Sequence, residues 1–291
     1  MSSKMPVPDP GGGPGATVAA KAAEADGPAG RAWLAADREA LSQARRQLES
    51  ETLGMRLTHG LGLPVARALE ILPKFVGRQV QAISQAALLA AGRTAVRSLG
   101  HGPSGAGFDL RHRLAAGAVG AVGGALGLVG LAVELPVSTT LILRASAGIA
   151  RSEGEDLRDP AARLACIEIF ALGGRASQAS AEADEIGYFA VRAGLTRAVS
   201  EAARLVLQVG VLEEGAPVVR HLMVRLANRF GPLVGEKMMA SALPILGAVG
   251  GAAVNSIFMA HFQQVAHGHF SIRRLERVYG AAVVRERYEA L

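Results

Sequence analysis

Residues Gly117–Pro136 read GAVGAVGGALGLVGLAVELP. No charge appears before Glu134, and glycine returns every three or four residues. Gly117, Gly120, Gly124 and Gly127 keep helical spacing, so in a helix they form a stripe without side chains. Each glycine costs about 1 kcal/mol in a helix interior. Close approach of a second backbone offsets that cost. The wider run Leu114–Val133 is 20 uncharged residues, the length that crosses a hydrocarbon core. Six are Gly and six are Ala, which leaves four Leu and four Val to favour lipid, so insertion is marginal.

A second segment, Ala242–Ala260, repeats the style with Gly247, Gly250 and Gly251, interrupted by Pro244 and Asn255. The two segments are expected to pack together through their small-residue faces. Asn255, a polar residue in an apolar helix, requires a protein partner. Two readings compete: insertion in a membrane, spanning or re-entrant, and core helices of a soluble bundle. Arg111 and Arg113 before the first segment, and Arg144 and Arg151 after it, favour insertion. Because both flanks are basic, they set no orientation.

Of the 291 residues, half are hydrophobic but only 4% aromatic. That balance points to close-packed helices rich in Ala, Leu, Val and Gly. The formal charge is +6, carried mostly by arginine. It suits anionic lipid headgroups. Nucleic acid is disfavoured as a partner, because the cations are dispersed and few aromatics interleave with them. Cys166 is the sole cysteine, so no intrachain disulfide forms. It reads as a small buried hydrophobe. The N-terminus holds no secretory apolar run, which places the expected location at the cytoplasmic face of the membrane, peripheral or integral.

Residues 1–30 are rich in Pro, Gly and Ala and lack a periodic face, which predicts a disordered tail. Residues 31–291 read as one helical domain. A first helix is expected over Arg31–Thr52, with Leu34, Leu41 and Leu48 sharing a face. A short helix should follow Pro64 and break at Pro73, and a long one should run from Lys74 to Leu99. Pro136 is expected to open a new helix. Asp159 and Pro160 signal another start and Gly173 its end. A helix with Glu182, Asp184 and Glu185 in its first turns should reach Gly210. Two helices should divide before Pro232, and a last one should begin near Phe270, after a junction at His267 and His269. No period-2 alternation appears. The expected fold is an all-α bundle of roughly eight to ten helices, two of them glycine-rich and apolar.

Two stretches resemble the EcsC family of bacterial proteins. They are ELPVSTTLILRASAGIARSEGEDLRDPAARLACIEIFALGG (Glu134–Gly174) and NSIFMAHFQQVAHGHFSIRRLERVYG (Asn255–Gly280). LPKFVGRQVQAISQAALLAAGRTAV is a looser match, and the likeness covers roughly Leu61–Gly280. The resemblance implies a helical, membrane-associated protein. The family's founding member takes its name from an operon that also encodes an ABC-type exporter, which implies membrane transport machinery as a partner. The resemblance supplies no catalytic residues.

No nucleophile elbow, P-loop or dinucleotide fingerprint is present, so neither an enzyme nor a cofactor is expected. His261, His267 and His269 lack a carboxylate or cysteine at a familiar ligand spacing, so no metal is expected. The acids Glu182, Asp184 and Glu185 complement a helix dipole. Arg144 interrupts an apolar pattern, and Arg151 follows on nearly the same face. Together they could bind a lipid phosphate or pair with a buried acid such as Glu134. Arg273, Arg274 and Arg277 form the polar side of a C-terminal helix and suit an anionic bilayer surface, or docking on the protein. The leading expectation is a non-enzymatic, membrane-associated accessory to transport or envelope maintenance. The alternative is a soluble bundle that binds a lipid or other apolar ligand.

Overall fold

The computed structural model describes residues 33–49, 52–61, 74–99, 127–174, 187–210, 216–242 and 247–291. Among these residues the chain forms helices and no strand. The helices are α1 (Ala35–Glu49), α2 (Leu53–Leu61), α3 (Lys74–Ser98), α4 (Gly127–Ser152), α5 (Pro160–Leu172), α6 (Tyr188–Val209), α7 (Pro217–Ala242), α8 (Gly247–Tyr279) and α9 (Ala281–Glu289). The expected helix after Pro64, the acids Glu182, Asp184 and Glu185, the tail 1–30 and the glycines Gly117, Gly120 and Gly124 lie outside the described residues.

The 33-residue α8 is the axis of the fold, about 50 Å long. It packs on α1, α2, α4, α5, α7 and α9. Its buried positions surround it, as expected of a helix enclosed on most sides. Aromatics are scarce, yet Phe170 of α5, Phe230 of α7 and Phe258 and Phe262 of α8 gather in one fully buried cluster. Their ring centroids stand 5.0–6.2 Å apart. The core is therefore not built from small residues alone.

Local signals set several boundaries. The Asp159 carboxylate accepts the Ala161 amide at 2.9 Å, Pro160 opens α5, and the Gly173 amide closes it on the Ile169 carbonyl. Leu41 is buried on α1 and Leu48 packs against the core, but Leu34 precedes the helix and is exposed. Trp33 takes the buried place instead, stacked on Tyr279 at 4.3 Å.

Three expected breaks are absent. Pro136 lies inside α4 and Pro232 inside α7. Each ring removes a bond to the carbonyl four residues back. Those carbonyls belong to Ala132 and Asn228, both on exposed residues, where water substitutes for the lost donor. The chain also runs unbroken through His267 and His269. It breaks at Gly280, whose φ of 88° only glycine adopts readily.

Among the described residues no helix is long and apolar enough to cross a membrane. The expected insertion of the glycine-rich helices as spans is thus not supported. The described part of the uncharged run, from Gly127, belongs to α4, which then carries Glu134, Arg144 and Arg151. The second segment begins α8, whose buried positions include Asn255, His261, Gln263 and His269. Gly250 and Gly251 are buried. The helices α4 and α8 do pack together, and a polar bond joins them: the Ser138 hydroxyl donates to Asn255 Oδ1 at 3.2 Å. Gly268 of α8 approaches α1 closely. A Cβ there would stand 2.8 Å from Leu48 Cγ and 3.0 Å from the Ala44 carbonyl oxygen.

Candidate functional site

The basic end of α8 faces protein acids. Arg273 grips Glu155 with two nitrogens, at 2.8 and 3.0 Å. Arg274 bonds Glu153 and Asp37, each at 2.9 Å. Arg277 bonds Glu155 and the Glu153 carbonyl. The Tyr279 hydroxyl completes the set on Asp37 at 2.7 Å. Glu153 and Glu155 flank Gly154, whose φ of 81° turns the chain out of α4. Burial pushes the Glu155 carboxyl up, but Arg273 and Arg277 outweigh it and hold the group below its ordinary range. The three arginines therefore clasp the α4–α5 connection and α1. These arginines, expected to suit a bilayer surface or docking on the protein, are engaged by protein acids.

Glu134, Arg144 and Arg151 do not come together as a site. Glu134 Oε1 pairs with Lys237 Nζ of α7 at 2.6 Å. Lys237 also stands 4.7 Å above the Phe258 ring. Burial pushes the Lys237 ammonium down, against the pull of Glu134. Arg144 is exposed. Arg151 donates to the Leu99 carbonyl and so ties α4 to the end of α3.

A second polar group is buried between α5, α6 and α8. His269 Nδ1 stands 2.9 Å from the Tyr188 hydroxyl. That hydroxyl also accepts from Arg192 Nη1 at 3.3 Å, and Arg192 forms a two-pronged pair with Glu276, 2.7 Å at each prong. Across the ring, His269 Nε2 is 3.9 Å from Glu168 Oε2. Neither of these two atoms has a hydrogen-bond partner, although Glu168 is 6% and His269 0% exposed. Burial pushes the Glu168 carboxyl up to about 7, and pushes the His269 imidazole well below its ordinary range, with Arg192 and Arg273 adding to the latter.

The remaining candidates are structural. His261 is buried with Nε2 on the Gly173 carbonyl at 2.9 Å, and burial pushes it down to about 4. The buried Cys166 thiol is pushed up to about 12, which makes it a poor nucleophile. Among the described residues no three His, Cys, Asp or Glu side chains gather to hold a metal.

Exposed cations and exposed aliphatic side chains both occur along α6 and α7. The cations are Arg197, Arg204, Arg220, His221 and Arg225. Leu207 of α6 is 67% exposed, and Val209 of α6 and Val224 of α7 are exposed as well. Arg225 binds back to the Gly194 carbonyl at 2.6 Å and so joins the two helices. Glu201 lies among these cations and is held below its ordinary range by a hydrogen bond from Arg197, with Arg204 and His221 adding. Glu213 and Glu214 fall in 211–215, outside the described residues. A smaller apolar step, Val133 and Val137, stands out from the start of α4, with Val133 71% exposed.

The model of the EcsC protein family matches residues 107–275, more than half of the chain. The chain belongs to the EcsC protein family. No curated protein and no solved structure matches it. The EcsC match contains the Glu134–Lys237 pair, Glu168, Tyr188, Arg192 and His269, together with all of α6 and α7. It leaves out α1, α2, α3, α9 and the last residues of α8. Sequence reasoning singled out His269 but missed Glu168, Tyr188, Arg192 and Lys237. Glu168 was legible in principle, because it is the one charge in LACIEIFALGG. Lys237 is one of only four lysines and sits in an apolar stretch.

Proposed function

We propose that this EcsC protein is a non-enzymatic, peripheral component of a membrane surface that binds anionic lipid without crossing the bilayer. The observation that carries the reading is the mix of exposed cations and exposed aliphatic side chains on α6 and α7. Arg197, Arg204, Arg220 and Arg225 are exposed on these two helices, and so are Leu207, Val209 and Val224. Cations at the headgroup level and aliphatic side chains just below it are what an interfacial helix needs. Near an anionic leaflet each such cation contributes about 1 kcal/mol. The step of Val133 and Val137 on α4, continuous in sequence with the uncharged run Leu114–Val133, adds a second apolar contact. We place it at the cytoplasmic face beside membrane transport machinery, as the family resemblance implies.

The alternative reading is a bundle that holds an apolar ligand. A concavity of about 430 Å³ beside α1 is lined by Ser42, Arg45, Arg46, Glu49 and Leu291, a charged rather than an apolar lining.

Vesicle flotation of the full chain tests the proposal. Binding should be strong on vesicles containing phosphatidylglycerol, weak on phosphatidylcholine alone, and reduced by salt. The double variant Arg204→Glu, Leu207→Ser should bind about ten-fold more weakly. Equal flotation on both vesicles, or binding unchanged in the variant, would overturn it.

A further inference from the structure

The helix α6 packs directly on α5 and α7, and it reaches the central helix α8 through polar side chains. Two links do this: Tyr188 to His269, and Arg192 to Glu276. Tyr188 is the first residue of α6. The link through His269 is chemically directional. The Tyr188 oxygen accepts from Arg192, a group that can only donate. The hydroxyl hydrogen is therefore available to His269 Nδ1, and in the arrangement that uses it Nδ1 is the acceptor. The ring proton then sits on Nε2 and points toward Glu168 Oε2, 3.9 Å away. That gap is too long for a hydrogen bond, so two buried polar atoms face each other unsatisfied. Such orphans are rare in protein cores and mark a strained or functional position.

We propose that His269 and Glu168 form a buried proton-binding site, and that loading it with a second proton releases the Tyr188 hydroxyl and loosens the first turn of α6. The first proton resides on Glu168, whose carboxyl is pushed up to about 7 by burial. The second must go to His269 Nδ1, because Nε2 is already protonated. Nδ1 then changes from acceptor to donor. The Tyr188 hydrogen that pointed at it has to turn away, inside a core with no alternative acceptor among the groups named here. The new imidazolium also faces Arg192 from α6 and Arg273 on α8, both cationic. Their carboxylate partners, Glu276 and Glu155, are already held in two-pronged pairs. From α9, Tyr288 stacks near Tyr188 at 6.0 Å, with its own hydroxyl on Glu49 and with Arg45 over its ring. None of these groups is free to absorb the added charge. The strain falls on the Tyr188 contact, which is neutral and therefore the weakest of the set. The device sits at the start of the helix that carries the proposed lipid face, but it stands independently of that proposal.

The test is a pH titration of the full-length protein, stepped down from neutral. Nitrogen-15 NMR reports the state of the His269 ring, and amide hydrogen exchange reports the first turn of α6. At neutral pH the ring should be the neutral Nε2–H tautomer. As His269 titrates, protection at Phe189, Ala190 and Val191 should fall about ten-fold relative to α8. Tyr188→Phe keeps the aromatic packing but has no hydroxyl to displace, so its first turn should show no such step over the same range. The proposal fails if the ring is the Nδ1–H tautomer, or if His269 does not titrate before the whole chain unfolds. It fails equally if protection is unchanged as the ring titrates, or if Tyr188→Phe shows the same step.

Discussion

Glu134 Oε1 and Lys237 Nζ meet at 2.6 Å between α4 and α7, at 7% and 1% side-chain exposure. The pair lies beside Phe258 on α8, so three helices converge on one buried charge pair. Removing one partner leaves the other charge buried without compensation, which costs about 3–5 kcal/mol. Lys237→Met should therefore destabilise the fold by that order in urea denaturation. The double variant Glu134→Leu, Lys237→Met should recover most of the loss, since a well-packed apolar pair is often as stable as the ionic one. A double variant as unstable as the single would show that the ions themselves are required.

The Glu168–His269 pair predicts an unusual pH profile of stability. Glu168 rises in the fold from 4.5 to about 7, so on its own it makes folding less favourable as pH climbs through that window. His269 falls from 6.5, so on its own it makes folding less favourable as pH drops below 6.5. Between 4.5 and 6.5 the folded pair and the unfolded pair hold one proton each, and the two slopes cancel. His269→Gln should uncover the Glu168 slope, a loss of up to about 3 kcal/mol on going from acid to neutral pH. Glu168→Gln should uncover the opposite slope. Urea midpoints measured across pH decide it, and parallel profiles for both variants would refute the coupling.

The clasp at the end of α8 depends on the planar guanidinium. Arg273 reaches both Glu155 oxygens, a geometry that lysine cannot copy. Arg273→Lys should cost about 2 kcal/mol in thermal or urea unfolding. The Glu155 carboxyl is held below its ordinary value of 4.5, so its stabilisation is present above that pH and is lost as pH falls. Replacing Arg273, Arg274 and Arg277 together with Gln should lower stability while leaving vesicle binding per folded molecule unchanged. Weaker flotation of the folded triple variant would return these arginines to the membrane.

Two glycines on helices should respond in opposite directions. Gly268→Ala drives a methyl to 2.8 Å from Leu48 Cγ and 3.0 Å from a backbone oxygen of α1, an overpacking cost of about 1–3 kcal/mol. Gly194, inside α6, has nothing within 4 Å of a built Cβ, so Gly194→Ala should stabilise by about 0.5–1 kcal/mol. Equal effects in chemical denaturation would show that helix propensity alone governs both positions.

What the sequence determined by itself is local. Helical periodicity established the all-α class. Asp159 with Pro160 opened α5, Gly173 closed it, and the run from Lys74 became α3, because capping and dihedral preferences act within a few residues. The tertiary structure decided whatever depends on distant partners or on exposure. Pro136 and Pro232 read as breaks, yet they are tolerated where the freed carbonyls reach water, and only the packed bundle sets which side of a helix is wet. Arg273, Arg274 and Arg277 read as a bilayer face, but Glu153, Glu155 and Asp37 meet them from 118 or more residues away. Glu134 was visible as a buried acid, whereas its partner Lys237 stands 103 residues later on another helix. Charge is written in the sequence, but whether a charge is spent on a protein partner or left for solvent and lipid is decided by which helices pack together, because ion pairing falls off within a few ångströms.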